Sequence, residues 1–325
     1  MPGRLAAAAL AVLMTLTGAV AAEQWPTRPV TMVIPFAAGG PTDVLGRVVA
    51  QRLGEILGQQ LVVENIGGAG GMTGVQRVAQ ASPDGYQMVL GTVGTHAQNQ
   101  SLYKRPLYNA VTDFAPVALI ADVPLVLIAR KDLPAGTLPE FIAYAKANQA
   151  KMTFGSAGSG SATHLGCVLL NTSMGTDITH VPYRGTGPAM QDLAAGRIDF
   201  LCEVISTALP QIKGGTVRGI ATLTKARSPV LPDLATAQEQ GLAGFEAYTW
   251  NALFLPRGTP DDIVKRLHEA MLAVMETPTV KTRLESFGAA LVTPERRSSE
   301  YLAGFVKAEI EKWAAPIKAS GVSAD

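Results

Sequence analysis

The chain has 325 residues, of which 47% are apolar and 16% charged, and its net charge is +1. Charge this balanced leaves no basic stripe of the kind that nucleic-acid binding needs, so no nucleic-acid partner is expected. The length suffices for two domains of ordinary size, each with its own core.

The first segment concerns compartment. Arg4 is the only early charge, and an apolar run follows from Leu5 to about Leu16. It ends in Thr17-Gly18-Ala19-Val20-Ala21-Ala22, with small residues where signal peptidase needs them. The run falls short of the roughly 20 residues of a membrane span. A signal peptide over residues 1–22, cleaved near Ala21 or Ala22, is therefore preferred to an uncleaved anchor, and a periplasmic location is expected. No cysteine follows the run, which argues against a lipoprotein.

Beyond it, Val30 to Phe36 is a β-prone run. The small-residue turn Ala37-Ala38-Gly39-Gly40-Pro41-Thr42-Asp43 follows. Leu45, Val48, Val49, Leu53, Ile56 and Leu57 then recur at helical spacing, with Thr42 or Asp43 placed to cap the helix. The pattern repeats. Leu61 to Asn65 reads as a strand, Gly67 to Gly71 as a turn, and a helix runs to about Gln80. Met88 to Gly91 is a strand that leads into Thr92-Val93-Gly94-Thr95-His96. Val117 to Ala129 reads as two apolar runs broken at Ala121 to Pro124. Thr137 to Ala147 is helical and Met152 to Phe154 is a strand. Next comes the loop Gly155 to Thr163 and a helix carrying Leu165, Val168, Leu169 and Leu170. Thr179 to Tyr183 is a strand. After Arg184-Gly185-Thr186-Gly187-Pro188 a helix lies around Met190 to Ala195. Strands are expected at Asp199 to Cys202 and Val217 to Thr222. The C-terminal part reads as helices at Asp261 to Met275, Pro278 to Phe287 and Ser298 to Ala319. Alternating strands and helices predict an α/β protein with a mainly parallel sheet. Composition marks no domain boundary.

Two loops share one construction, Ala37 to Asp43 and Gly155 to Thr163: strand, small-residue turn, helix N-terminus. Such a junction presents unpaired amides and the positive end of the helix dipole, which suits an anion. The first loop has no Lys or Arg, and Arg184 is the nearest full positive charge in any of these loops. Asp43 reads as a helix cap and not as a catalytic acid. Phe36 and Trp250 read equally as ligand-stacking or core side chains.

Enzyme motifs are missing. There is no Walker A, no G-x-G-x-x-G and no G-x-S-x-G. His96, His164, His180 and His268 show no metal-ligand spacing, so no metal, cofactor or catalytic residue is assigned. Ser159 or Ser161 with His164 would be the pair for a hydrolase. A ligand hydrogen bond or a cap is the preferred role for His164. Cys167 and Cys202 are the two cysteines. In an oxidising compartment they read as one disulfide closing a loop of about 36 residues, about 3–4 kcal/mol in the chain-entropy model. Two buried free thiols are the alternative.

The ordered set of short motifs resembles the substrate-binding receptors of tripartite tricarboxylate transporters, the Bug receptors. The matching residues are Trp25-Pro26 with Arg28-Pro29-Val30, Pro35 to Asp43, Val63-Glu64-Asn65 and Gly68 to Gly71. Pro83-Asp84-Gly85-Tyr86, Gly155 to Gly160, Val181 to Gly185, Gly187 to Leu193 and Gly196 to Asp199 continue the series. Arg227-Ser228, Leu231-Pro232-Asp233 and Pro256 to Pro260 complete it. The resemblance covers essentially the whole chain beyond the signal segment.

It implies a type II periplasmic-binding-protein fold with two lobes and a ligand cleft. Lobe 1 would combine residues 23–121 and 247–325, and lobe 2 would be 122–246. It implies a monomeric receptor for a small organic acid, partnered by integral-membrane permease subunits. A sensor kinase is the alternative partner. Carried over by position, the carboxylate-holding residues are Ala38, Gly39, Gly40, Thr42 and Asp43 from lobe 1 and Ser156, Ala157, Gly158 and Ser159 from lobe 2. Phe36, Thr95, His96, Thr163, His164, Arg184 and Glu203 complete the candidate ligand-binding set. Glu203 stands where the family usually has Asp, at a position that helps select the distal part of the ligand. Some relatives carry a cysteine pair near Cys167 and Cys202.

Overall fold

The computed structural model describes residues 25–324. The signal-peptide expectation falls on residues 1–22, outside the described residues. Among the described residues no helix is long and apolar enough to cross a membrane.

The strands in chain order are β1 (Val30–Ile34), β2 (Leu61–Asn65), β3 (Gln87–Thr92), β4 (Phe114–Arg130), β5 (Thr153–Ser156), β6 (Thr179–Pro182), β7 (Phe200–Val204), β8 (Val217–Thr222), β9 (Tyr248–Pro256) and β10 (Ala290–Leu291). The helices that position the site are α1 (Pro41–Leu57), α2 (Met72–Ala79), α3 (Asn99–Leu102), α4 (Leu138–Asn148), α5 (Ala162–Met174), α6 (Thr186–Ala194), α7 (Ile205–Lys213), α8 (Asp261–Glu276), α9 (Pro278–Ser286) and α10 (Ser299–Ala319).

The sheet order is β2-β1-β3-β9-β4-β7-β5-β6, with β8 and β10 paired to β4 off that path. Pairs β1–β2, β1–β3, β5–β6 and β5–β7 are parallel. Every pair involving β4 or β9 is antiparallel. The sheet is thus mixed, and the mainly parallel expectation holds only for its outer parts. The two long strands cause this. β9 runs back between β3 and β4, and neither its existence nor its direction was read from the sequence.

β4 corrects a second expectation. It is one 17-residue strand, not two runs broken at Ala121 to Pro124. Phe114 to Pro124 pair with β9, and Leu125 to Arg130 pair with β7 and β8. Pro124 sits where the partner changes. A proline contributes no ladder donor, and at this switch none is needed. The same strand therefore belongs to two groups of strands and connects them.

Packing follows the sequence periodicity. α1 buries Leu45, Val49, Leu53 and Leu57, the stripe expected at steps of three and four. It stops at Gly58, whose left-handed φ of 71° closes the C-cap. α4 starts at the capping box Thr137–Glu140. The C-terminal α10 buries Leu302, Val306, Trp313 and Ile317. Its buried Glu309 accepts hydrogen bonds from the indoles of Trp250 and Trp313 and from the Tyr248 hydroxyl. Those bonds fix the start of β9, where the chain leaves the second strand group.

Cys167 on α5 and Cys202 on β7 are disulfide-bonded, with Cα atoms 5.4 Å apart. The bond joins a helix whose first turn faces the cavity to the strand that carries Glu203.

Candidate functional site

One cavity lies between the two strand groups. Phe36, Pro41, Thr42, Leu45, Thr92, Thr249 and Asn251 line it from one side, with Leu284, Phe287 and Ala289. Ser161, Ala162, Thr163, Val204 and Ser206 line it from the other. No Lys, Arg or His is among its lining residues.

The helices explain why these residues meet. α1 begins two or three residues earlier than the sequence suggested. Its N-cap is Gly40 and its first residue Pro41, and no side chain caps it. Proline is well suited to that first position, because the N–H it lacks would be unpaired anyway. Thr42 and Asp43 therefore sit inside the first turn, correcting the cap expected for either. α5 starts at Ala162 behind the cap Ser161, whose hydroxyl accepts the His164 amide. Both helix N-termini open on the same cavity.

The amides divide into two sets. Several are satisfied inside their own loops. Gly39 donates to Asp43, Ala157 to Thr163 Oγ1, Gly158 to Ser156 Oγ and Gly160 to His164 Nδ1. Among the described residues, none accepts from the amides of Ala38, Gly40, Thr42, Ser159, Ala162 or Thr163. The residues in the first set hold the loops, and of the second set Thr42, Ala162 and Thr163 line the cavity. Asn251 adds a side-chain donor. It is 3% exposed, and its Nδ2 is buried with no acceptor.

Asp43 does not put an uncompensated charge here. Its Oδ2 accepts Gly39 N–H and Arg47 Nε, both at 3.0 Å, and its Oδ1 accepts Asn65 Nδ2 at 2.9 Å. Burial raises its pKa, but these donors outweigh burial and hold the carboxyl below its usual range. It is a clasp for the first loop.

Glu203 is fully buried on β7. Its Oε1 accepts from the Thr186 and Thr207 hydroxyls at 2.9 and 2.6 Å, and its Oε2 has no partner. Thr186 opens α6, which starts at the stretch Thr186-Gly187-Pro188 that the sequence reading placed in a turn. A Cβ on Gly40 would lie 3.8 Å from Thr186 Oγ1, so Glu203 reaches the first loop through one threonine. Burial pushes its pKa up from 4.5 to about 7, against the hydrogen bonds from Thr207 and Thr186.

A pH prediction follows. The folded value lies above the unfolded one. The stabilisation from the neutral form is therefore complete below about 4.5 and is lost as pH rises through about 7. Glu203→Gln mimics the neutral acid. It should leave stability near that of the parent at pH 5 and exceed it at pH 8 by up to roughly 3 kcal/mol. Urea melts of both proteins at the two pH values check this, and parallel pH profiles would refute it.

Other expected residues lie elsewhere. His96 is buried and stacks on Phe254, with centroids 4.0 Å apart, inside a core with Phe114 and Tyr108. It is turned into the first lobe, not toward the cavity. Burial lowers its pKa to about 3, so it is neutral. Thr95 is also enclosed, bonded to Thr92 and His96. It supports Thr92, which does line the cavity. The Arg184 side chain is exposed, and only its carbonyl enters the seam, where it accepts the Ala37 amide at 3.0 Å. Its charge is not part of the lining, contrary to the sequence-based set.

His164 pairs with no serine hydroxyl as a base would. Its Nδ1 accepts the Gly160 amide, and its ring lies 4.2 Å from His180. His180 Nε2 lies 2.7 Å from Ser156 Oγ, and that serine is fully buried. These groups brace the second loop. Trp250 is core, facing α10. Its neighbours Thr249 and Asn251 face the cavity, as strand alternation requires. The sequence reading named Trp250 and missed both of them.

The strand groups meet across a glycine seam. A Cβ on Gly67 would stand 2.4 Å from Arg184 O, and one on Gly70 2.1 Å from Ser159 O. On the other side, Cβ atoms on Gly158 and Gly185 would stand 3.3 Å from Gly70 N and 2.8 Å from Ala37 N. The Tyr103 hydroxyl donates to Ser159 O at 2.9 Å.

A cleft between two α/β lobes joined by long crossing strands, with two helix N-termini facing inward, defines a periplasmic-binding-protein fold. The model of the tripartite tricarboxylate transporter family receptor matches residues 45–322. The chain belongs to that family. It is 42% identical over 316 residues to a protein encoded in the TAR-I ttuE-ttuC' intergenic region of Agrobacterium vitis, covering 96% of this chain and 91% of the relative. Among solved structures it is similar to the periplasmic binding protein BugD, with 40% identity and a TM-score of 0.89 over 93% of this chain and 100% of that one. It is also similar to MatC of Rhodopseudomonas palustris with bound malate, with 40% identity and a TM-score of 0.88 over 90% of this chain and 100% of that one.

Proposed function

We propose that the protein is a periplasmic receptor that closes its two lobes on a small organic acid and delivers it to a tripartite tricarboxylate-type permease. The convergence of the α1 and α5 N-termini on one cavity without cationic side chains carries this reading. Unpaired amides and two helix dipoles attract a carboxylate without the desolvation cost of a buried lysine or arginine. The bound malate of MatC supports the same ligand class. The lobes would pivot where β4 changes partner at Pro124–Leu125 and where β9 begins at Tyr248. Both pivot positions support lobe boundaries near residues 121–122 and 246–247. Binding without turnover is expected, since no serine in the loops meets a base with an orienting carboxylate.

The test is calorimetry on protein unfolded and refolded to remove carried-over ligand. At least one organic acid should bind with micromolar or tighter affinity, and failure of a broad panel of organic anions would end the reading. A deletion strain should lose uptake of the identified acid. Normal uptake with lost gene induction would instead assign the receptor to a sensor kinase.

A further inference from the structure

Among the described residues eight buried side-chain polar atoms have no partner, and Asn251 Nδ2 is the one whose residue lines the cavity. Nothing in the fold asks for an amide there. Asn251 lies on β9, paired with Thr92 of β3 and Ala121 of β4, so its backbone is held from both sides whatever the side chain. Leu253, two residues on and on the same face of the strand, is fully buried in one core cluster with Leu45. An asparagine that is 3% exposed and lacks an acceptor costs stability, because its N–H groups have given up water and gained no partner. That cost is recovered when something entering the cavity brings an acceptor.

The first carboxylate of an acid is served elsewhere. Thr42, Ala162 and Thr163 line the cavity, and their amides have no acceptor among the described residues. The Thr92 and Thr163 hydroxyls in the same lining are engaged, the first with Thr95 and the second with the Ala157 amide and Ser161. Resting on the receptor reading above, we propose that Asn251 is a specificity-determining residue, donating from Nδ2 to an oxygen that the ligand carries besides the carboxylate held at the α1 and α5 N-termini. A hydroxyl or an oxygen of a second carboxylate presents that acceptor. A hydrocarbon at the same place leaves the donor unpaired, and a site built around a hydrogen bond strongly rejects the analogue that lacks it. The donor is set in the sheet and not in a loop, so it is in place before the lobes close.

Calorimetry on refolded, ligand-free parent and Asn251→Val tests this with malate, succinate, 3-hydroxybutyrate and butyrate, which share one chain length and differ in their oxygens. Valine is close to asparagine in size and suits a strand. The parent should bind at least one oxygen-bearing acid about tenfold or more tightly than butyrate, and Asn251→Val should weaken that acid about tenfold while leaving butyrate within about threefold. Loss for 3-hydroxybutyrate identifies a hydroxyl as the acceptor, and loss for succinate a second carboxylate. Without any acid, Asn251→Val should melt no lower than the parent, since it removes an unpaired buried donor. A parent with no preference over butyrate, equal weakening of all four acids, unchanged affinities or a free variant that melts several degrees lower would overturn the inference. Failure of these four acids while other organic anions bind would also overturn it and leave the receptor reading intact. Failure of every organic anion would remove both.

Discussion

Gly67→Ala should weaken ligand binding by about a thousandfold, near 4 kcal/mol, while leaving the melting temperature of the free protein almost unchanged. The added methyl would stand 2.4 Å from the Arg184 carbonyl and 3.3 Å from its Cβ, both across the seam. Backbone cannot yield as a flexible side-chain end can. Gly67 has no left-handed φ, so alanine brings no local strain. The nearest atom of its own lobe is Ala37 N at 3.4 Å, an ordinary contact. The substitution thus acts on closure alone. A receptor held open keeps the contacts of one lobe and loses those of the other, and it loses the exclusion of water that strengthens amide–carboxylate bonds. Calorimetry reads the affinity and thermal denaturation reads the fold. Unchanged affinity would show that closure across this seam is not part of binding.

Breaking the Cys167–Cys202 bond should cost about 4 kcal/mol of stability. The cross-link closes a loop with a sequence separation of 35, and the chain-entropy model gives about 4 kcal/mol for that length. Both sulfurs are in fully buried residues, so a Cys167→Ser/Cys202→Ser variant adds two poorly matched hydroxyls to the core. Urea denaturation of the parent with and without reductant separates these contributions. The variant should match or fall below the reduced parent and ignore reductant. Coincident curves for oxidised and reduced parent would contradict the prediction. The bond ties α5 to β7, so reduction should also loosen the α5 N-terminus relative to Glu203.

The sequence carried much of this arrangement. Both small-residue loops lie where expected, because a strand followed by glycine and then a 3.6-residue repeat leaves the chain few alternatives. The disulfide was legible from an even cysteine pair in a compartment expected to be oxidising. Three features were hidden for physical reasons. β9 is buried on both faces, so Tyr248 to Pro256 shows no in–out alternation; its aromatic and β-branched content was the remaining signal. α7 carries Pro210 within it, and proline reads as a helix breaker. The start of α1 was set by Pro41, not by the side-chain cap the sequence offered.

The site was legible to the level of its loops. Phe36, Thr42 and Thr163 line the cavity, with Ala38, Gly40 and Ser159 in the loops that adjoin those residues. His96 and the Arg184 side chain do not, because burial and exposure are decided by strands distant in sequence: Phe254 for His96, and the seam for Arg184. Asn251 was invisible for the same reason as β9. Its role depends on pairing with Thr92 on β3 and Ala121 on β4, which no local pattern encodes.

The most direct measurement is a crystal structure of the protein with the organic acid it binds. The account predicts carboxylate oxygens within hydrogen-bond distance of amides from both the Ala38–Thr42 and Ser159–Thr163 segments, with no lysine or arginine side chain in contact. A carboxylate held by the Arg184 guanidinium, or bound outside the cavity between the lobes, would contradict it.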